Sequence, residues 1–456
     1  MDSTATVPDL PARGGEAQAR RPSEAAARRF ELALACAVVF LAPMNVLRVP
    51  AFYFTASDAF ACLCLVIMLV NRTVQLKPFG PGTAFWMFGL TTAIAALMAS
   101  SLMAGAEDRG LILLMQYLFA YFLLPLILMG RPWRQTILLM KTFVGSMVIM
   151  ILHGIYVVEI VAKTNTVFVS GSGRLQGFVE RENECGSLIA LTVPMILCMT
   201  AMGAMRPVIA LALVPLMAYG IMLTGSNTAL YAMLAGVGIV FVATLTLRRL
   251  ILGAAILPLL WLAVLSPSVQ PYLPATFQKR VLTGLSTGDL ANAGTFADRM
   301  ALNEEAFRLA GDALLMGYGA DQYREISAWH APVHNLYLLM WSEGGLIALG
   351  GFVLMLTGGV VTLAACLRYR GARPVFLCGF ATLSLFAMLI NAVPHVYGRF
   401  WAVPVLLSLA PAVTFLKEGR TWRERKSAKA KRRHASSQAG DNPPIPAGGA
   451  ASETGH

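Results

Sequence analysis

Long apolar runs separated by short polar stretches form the main pattern of this chain. A helix that crosses the hydrocarbon core of a bilayer needs about 20 apolar residues. The runs here reach that length and lack the strict alternation of a strand. We therefore predict an all-α integral membrane protein with about twelve transmembrane helices. Their expected positions are about 31–50, 52–70, 84–104, 111–129, 136–161, 185–203, 207–223, 228–246, 250–266, 336–366, 374–393 and 398–416.

Composition supports this interpretation. Of the 456 residues, 57% are hydrophobic and only 13% are charged, whereas a soluble domain carries about 25% charged residues. We expect no separate soluble domain. The pattern instead divides the chain into a disordered tail (1–30), a polytopic membrane domain (31–416) and a basic, disordered tail (417–456).

Charge in the short loops predicts how the chain sits in the membrane. Lys and Arg cluster in alternate connections, and cytoplasmic loops are the ones enriched in these residues. We therefore expect both tails in the cytoplasm and the two long loops, about 162–184 and about 267–335, on the outer side. The enriched connections lie near residues 72–77, 131–134, 206, 248–249 and 368–373.

The net charge of +12 could indicate nucleic-acid binding, but much of it lies in the tail "KEGRTWRERKSAKAKRRH", residues 417–434. A basic tail that follows a transmembrane helix is typical of contact with anionic lipid. The seven cysteines lie in or beside apolar runs, where they predict packing rather than a disulfide or thiolate metal site.

The first long loop holds one group of candidate site residues. The stretch "GRLQGFVEREN" contains Arg174 and ends at Asn183, just before an apolar run. A ligand site is one explanation. A flexible connector whose arginines meet lipid headgroups is an equally simple one.

The second long loop contains "TFADRMALNEEAFRLAG", whose apolar positions recur at helical spacing. We predict a helix over about 296–310, ended by Gly311. Arg299 would lie in its first turn, where the helix dipole disfavours a cation. A cation there suggests an anionic partner, either a ligand or a carboxylate such as Asp298 or Glu304.

The same loop ends in "HAPVHNLYLLMWSEGG", residues 330–345. Ionisable groups at the edge of a transmembrane helix are costly and point to function, and histidine is suited to general-base catalysis near neutral pH. His334, Asn335 and Glu343 are therefore candidates. His330 stands four residues before His334, as two zinc ligands on a helix would. Pro332 disfavours that helix and no third ligand is evident, so we expect no metal.

The last outer turn, "NAVPHVYGRFW", adds His395 and Arg399 on the expected outer side. They are either substrate contacts or interfacial anchors.

Several of these motifs resemble the O-antigen ligase and O-antigen polymerase superfamily of bacterial membrane glycosyltransferases, over roughly residues 170–350. "GYGADQY…HNLYLLMWSEGGLIALGG" looks like the family pattern of a Gly-x-Gly turn, His-Asn and Glu-Gly entering a transmembrane helix. "GRLQGFVERENECGSLIALTVP" is similar to its Arg…Gly…Asn…Pro signature, and "ADRMALNEEAF" to its arginine-bearing helix. The matching positions are Gly317, Gly319, His334, Asn335, Glu343 and Gly344, with Arg174, Gly177, Asn183, Pro194 and Arg299.

The resemblance implies an enzyme that takes a glycan from undecaprenyl diphosphate and passes it to a hydroxyl of a glycan or lipid A-core acceptor, outside the inner membrane. It needs no cofactor or metal and would work alongside a flippase and a chain-length regulator. The implied catalytic residues are His334 as base with Arg299 and Arg174 on the diphosphate. The implied substrate-binding residues are Asn335, Glu343, Asn183, Arg399 and His395.

One departure from the family pattern affects the assignment. Where family members often carry Ser-Arg, "LTGSNTA" has Asn227, so one expected phosphate-binding arginine is missing. This departure, with the "HVYGRFW" turn, favours a repeat-unit polymerase of O-antigen or exopolysaccharide over a ligase. A twelve-helix transporter is the alternative from another class, but its ionisable groups would lie at mid-membrane rather than in the outer loops.

Overall fold

The computed structural model describes residues 22–49, 53–246, 262, 266–282, 296–369 and 371–440. Helices account for most of this part of the chain, and its strands form one short antiparallel pair, β1 (Arg48–Val49) with β2 (Phe54–Thr55). The all-α prediction is confirmed for these residues.

Six helices form the amino-terminal part of the bundle. A π-helical turn, Phe119–Leu123, joins the fourth to the fifth, and a second one, Tyr156–Ile160, extends the sixth. The six are α1 (Pro22–Leu41), α2 (Ala56–Val70), α3 (Thr83–Met103), α4 (Glu107–Leu118), α5 (Leu124–Leu128) and α6 (Trp133–Ile155).

The remaining described helices include long membrane-type helices and short ones in the second long loop. The short ones are α10 (Ala275–Phe277), α11 (Phe296–Asp312) and α12 (Tyr323–Ile326). The long ones are α7 (Glu182–Ala201), α8 (Pro207–Thr224), α9 (Asn227–Ala243), α13 (Leu336–Cys366), α14 (Arg373–Leu389) and α15 (Arg399–Gly440).

Within the described ranges, seven helices are long and apolar enough to cross a membrane, so the chain is a multi-pass membrane protein. The apolar helices α2, α9 and α14 have 15, 17 and 17 residues. At about 1.5 Å per residue, each falls short of an ~30 Å hydrocarbon core. The predicted count of twelve is not confirmed. The helix that was expected over 31–50 ends at Leu41, and most of 250–266 lies outside the described residues.

The predicted disordered tails differ from the structure where it describes them. Helix α1 begins at Pro22, and α15 continues to Gly440 instead of ending near residue 416. Residues 1–21 and 441–456 lie outside the described part.

The turns meet at two opposite ends of the helices. At one end, the Lys417 ammonium in α15 donates to the carbonyl of Gly130 at 3.2 Å, which joins the basic stretch of α15 to the turn that precedes α6. At the other end, Leu175 N–H donates to Leu223 O at 2.9 Å and Leu336 N–H to Ile390 O at 2.8 Å. We call this second end, with connections 161–181, 224–226, 266–282, 296–335 and 390–398, the loop end. The contacts at this end join turns that the charge pattern predicts to lie on the same side of the membrane.

Close packing of α3 against α13 fixes one wall of the loop end. A side chain at Gly89 would overlap the backbone of Met355, and one at Gly351 would overlap the backbone of Ala93. Small residues let two membrane helices approach until their backbones touch, which increases van der Waals contact where no hydrophobic driving force acts. Helix α13, which carries Glu343, is therefore held at a fixed height on α3.

Candidate functional site

Arg174 is held rigidly at the loop end. Its Nε donates to the carbonyl of Thr224 at 2.7 Å, and its Nη2 donates to Oδ1 of Asn183 at 2.9 Å. Only 7% of the residue is exposed. A flexible connector would not bury and fix an arginine in this way, so the connector alternative does not fit. Two predicted site residues, Arg174 and Asn183, are thus brought together.

The charge of Arg174 is only partly compensated. The nearest carboxylate, on Glu182, lies 3.9 Å from Nη1. Burial lowers the pKa of Arg174 to about 10; Glu182 opposes this shift, while Arg280 and Arg299 reinforce it. Arg174 therefore remains a cation at neutral pH, in a place where two further cations act on it.

Arg299 lies in the first turn of α11, and the helix predicted over 296–310 is confirmed. Its Nε is buried and has no hydrogen-bond partner among the described residues. Burial lowers the pKa of Arg299, and Arg280 lowers it further. A buried donor without a partner is costly, so an anion at this position would be stabilising.

Arg280 is a third arginine that acts on Arg174 and Arg299, and the sequence analysis missed it. It follows α10 in a single π-helical turn, Gln278–Leu282. Its Nε is also buried without a hydrogen-bond partner in the described structure. The only sequence signal was a Lys-Arg pair in a loop, which is too common to single out. We call Arg174, Arg280 and Arg299 the arginine cluster.

His334 lies next to the arginine cluster. Its chain neighbourhood is anchored, because Val333 and Leu336 are fully buried. Burial lowers the pKa of His334, and the charges of Arg299 and Arg181 lower it further. The imidazole is therefore neutral at pH 7 and able to accept a proton, which is what a general base requires.

Asn335 has a structural task in addition to its predicted one. Its Oδ1 accepts hydrogen bonds from the backbone N–H groups of Tyr337 at 3.0 Å and Leu338 at 3.2 Å, so it caps α13. Its Nδ2 donates to Oδ1 of Asn391 at 3.4 Å. The side chain thus sets where α13 begins, directly after His334.

The predicted zinc-like spacing of His330 and His334 does not lie on a helix. His330 has a left-handed backbone with φ 46°, and α13 begins only at Leu336. Among the described residues, no group of three His, Cys, Asp or Glu side chains could hold a metal ion.

A kink in α13 explains why the chain has both a Gly-Tyr-Gly motif at 317–319 and a Glu-Gly-Gly motif at 343–345. Gly345 has φ 71°, which breaks the helical hydrogen-bond ladder. The released carbonyl of Ser342 accepts from Tyr318 N–H, and that of Glu343 from Gly319 N–H, both at 2.9 Å. The Gly-Tyr-Gly turn therefore docks on the kink and satisfies the backbone there.

Glu343 faces a polar cavity of about 200 Å³ at the loop end. Its carboxyl group accepts hydrogen bonds from the backbone N–H groups of Asp321 and Tyr323, and only 4% of the residue is exposed. We call this space the polar cavity. Its lining includes two acidic residues and His395, together with three arginines that the sequence analysis did not select. The charged or titratable lining residues are Asp321, Glu343, His395, Arg109, Arg181 and Arg324.

His334 lies near both the arginine cluster and the polar cavity, because the charges of Arg299 and of the cavity-lining Arg181 both act on it. Burial lowers the pKa of His395 to about 4, and Arg181, Arg324 and His334 reinforce the shift. Arg181 lowers the pKa of both histidines. One neutral imidazole, His334, thus lies between a cationic pocket and a cavity rich in hydrogen-bonding groups.

Arg399 lies elsewhere than its predicted role requires. Its Nε is 2.5 Å from Oδ1 of Asp58, and its Nη1 donates to Oε1 of Gln116 at 2.9 Å. Only 6% of the residue is exposed. The guanidinium is occupied by internal partners, so its link to the polar cavity runs through Gln116, which lines it.

No curated protein matches the chain significantly. Residues 210–353 match a family model described as O-antigen ligase. The matched segment contains Arg280, Arg299, His334 and Glu343, whereas Arg174 lies before it. Residues 210–353 are thus similar to the O-antigen ligase family, which supports the resemblance seen in the sequence motifs.

Proposed function

We propose that the protein is a metal-independent glycosyltransferase that takes a glycan from undecaprenyl diphosphate and joins it to an acceptor hydroxyl. The favoured activity is polymerisation of repeat units of a surface polysaccharide. The observation that carries the proposal is the arginine cluster, in which the buried Nε atoms of Arg280 and Arg299 have no hydrogen-bond partner among the described residues and the charge of Arg299 acts on His334.

The arginine cluster suits a diphosphate. A guanidinium can donate two parallel hydrogen bonds to phosphate oxygens without a metal ion. Arg174 is oriented by Thr224 and Asn183, and Arg299 has a buried Nε without a partner. These groups would hold the diphosphate and stabilise the negative charge that grows on it as it leaves.

His334 would accept the proton in the transfer step. The acceptor hydroxyl oxygen attacks the anomeric carbon of the donor glycan, and the bond from that carbon to the diphosphate oxygen breaks. The bonding pair leaves with undecaprenyl diphosphate, and the hydroxyl proton passes to the neutral imidazole. The step is balanced without an oxidant, a reductant or a metal.

The polar cavity would bind sugar. Asp321 offers a carboxylate acceptor, Glu343 offers a carboxyl group, and Arg109, Arg181 and Arg324 offer donors, which is the mixture that sugar hydroxyl groups require. Because the cavity lies near His334, a glycan bound there would present a hydroxyl near the proposed base.

The proposed place of the reaction is the outer face of the bacterial inner membrane. The loop end carries the arginine cluster and the polar cavity, and its connections are the ones that the charge pattern placed outside. Both tails would then be cytoplasmic. The lipid carrier, a flippase and a chain-length regulator are the partners that this placement favours.

Ligation of the glycan to lipid A-core is the second candidate, favoured by the description of the matched family as O-antigen ligase. Transfer by purified protein in lipid nanodiscs separates the two. Lipid-linked repeat units alone should give a ladder of longer lipid-linked glycans. Product formed only when lipid A-core is added would establish ligation instead.

Absence of transfer to either acceptor, combined with uptake of labelled substrate into proteoliposomes, would overturn both assignments in favour of transport. In cells, deletion of the gene should leave a single repeat unit on lipid A-core if O-antigen polymerisation is lost. Intact lipopolysaccharide with missing secreted polymer would identify an exopolysaccharide system.

A further inference from the structure

The turn between α8 and α9 receives a cation from a distant segment. Gly225 in this turn has φ 55°, and a Cβ atom built on it would lie 3.4 Å from Cδ of Arg280. The next position but one is Asn227, where the sequence resemblance leads one to expect an arginine. Arg280 thus brings a guanidinium to the turn that lacks its own.

Arg280 is held there by its neighbours along the chain. The hydroxyl of Thr276 donates to the carbonyl of Met222 at 3.3 Å. Phe277 and Val281 are buried and form a small apolar cluster with Met222 and Leu230. This packing docks the segment 275–282 on the end of α8, so Arg280 is fixed beside the turn.

The surroundings of Arg280 are unfavourable for a cation without a counterion. Its Nε is buried without a hydrogen-bond partner among the described residues, and its charge acts on both Arg174 and Arg299. In the described part of the chain, Arg280 forms no ion pair with a carboxylate. Buried like charges repel each other, and a buried donor without a partner costs free energy. Fixing a third arginine here is explained if an anion with several oxygens binds between them.

We propose that Arg280 is a third diphosphate ligand, which supplies from the second long loop the cation that position 227 does not provide. The inference rests on the proposed function, because the ligand is the diphosphate of the lipid-linked donor. It assigns to this chain a rearranged site, in which the charge comes from a segment more than fifty residues away.

Binding of undecaprenyl diphosphate to purified protein in nanodiscs tests the proposal. R280A should weaken binding by about tenfold or more, as expected for loss of a charge-assisted hydrogen bond. Undecaprenyl monophosphate should bind wild type more weakly than the diphosphate does, and its affinity should fall less in R280A. Lys279, exposed on the same turn, is the matched control, and K279A should bind like wild type.

A structural role for Arg280 is distinguished by thermal unfolding without ligand. If the guanidinium is there for an anion, R280A should unfold at the same or a higher temperature, because it removes a cation whose buried Nε has no hydrogen-bond partner among the described residues. The double variant N227R/R280A should recover binding, since it returns a guanidinium to the turn. R280K should bind the lipid diphosphate almost as weakly as R280A, because an ammonium lacks the planar fork of a guanidinium.

Three negative outcomes have different meanings. If wild type binds undecaprenyl diphosphate but R280A binds it equally well, Arg280 is not a ligand and the inference is overturned. If R280A unfolds at a lower temperature and N227R/R280A recovers no binding, Arg280 is structural. If wild type itself neither binds the lipid diphosphate nor transfers glycan, the proposed function fails.

Discussion

The Nε atom of Arg399 lies 2.5 Å from Oδ1 of Asp58, and both side chains are almost completely buried. The other oxygen of Asp58 accepts the backbone N–H of Thr55 at 2.8 Å, in the capping box of α2. One carboxylate therefore caps α2 and anchors the start of α15. The pair ties the two ends of the membrane domain's sequence together at the loop end.

Breaking this pair should destabilise the protein. R399Q or D58N leaves one buried group without its partner, which typically costs about 3–5 kcal/mol. We expect a lower unfolding temperature in detergent for each single variant. The double variant D58N/R399Q leaves neither charge unpaired and should be less destabilised than the sum of the two. Unfolding temperatures of the single variants equal to that of wild type would contradict this assignment.

The pair also shows what the sequence could and could not reveal. In the sequence, Arg399 follows His395 in the same short turn, and the turn alone gives no reason to separate them. Its partner is 341 positions earlier in the chain, and no local pattern links residues that far apart. Sequence reasoning therefore gave a substrate-binding or interfacial role to an arginine whose guanidinium the structure pairs with Asp58 and Gln116.

Local features were predictable because they depend on local spacing. The apolar periodicity of α11 located Arg299 in its first turn, and the approach of His334 and Asn335 to an apolar run located the start of α13. Arg181 and Arg280 were missed because tertiary packing of separate loops brings them to His334 and Arg174. The predicted count of twelve is not confirmed, because three of the apolar helices are shorter than a bilayer crossing requires and most of 250–266 lies outside the described residues.

Arg174 should not tolerate lysine. Its Nε and Nη2 donate in two directions, to Thr224 O and Asn183 Oδ1, and an ammonium cannot reproduce that geometry. We expect R174K to lose at least about tenfold in glycan transfer, and N183A to lose about tenfold because one charge-assisted bond is removed. Initial rates with lipid-linked donor measure both.

The matched control for this substitution is Arg48, which pairs with Glu180 at 2.6 Å on a partly exposed surface. Exposed pairs contribute little, so R48K should transfer normally. Near-normal transfer by R174K would argue against a diphosphate clamp.

His334, rather than His330, should carry the proton transfer. General-base catalysis contributes about 10²–10⁴-fold, so H334A should lose transfer by that order while still binding the lipid-linked donor. H330A should lose much less, because His330 lies outside the anchored segment. Equal losses in the two variants, together with inhibition of wild type by EDTA, would instead indicate a metal site.

The pH dependence of transfer should report the environment of His334. Burial, Arg299 and Arg181 all lower its pKa below the ordinary value, so the neutral, active form persists to lower pH than for an exposed histidine. Transfer should fall only on the acid side of that lowered pKa. In R181Q one cation is gone, the pKa of His334 rises, and the acid limb of the rate profile should move to higher pH. R109Q, which removes another cation of the polar cavity, should leave the acid limb of the rate profile in place. An acid limb that R181Q does not move would exclude His334 as the titrating base.

The kink at Gly345 should be indispensable for placing Glu343. Gly345 has φ 71°, a backbone that costs about 1–3 kcal/mol for other residues, and a Cβ atom there would overlap the carbonyl oxygen of Leu315. G345A must therefore displace the Gly-Tyr-Gly turn that bonds to the carbonyls of Ser342 and Glu343. We expect a marked loss of transfer and a lower unfolding temperature.

Gly350 lies in the same helix, and a Cβ atom added to it would meet no atom within 4 Å. G350A should therefore retain both properties, since alanine favours a helix over glycine. Similar behaviour of G345A and G350A would show that the kink does not position the site.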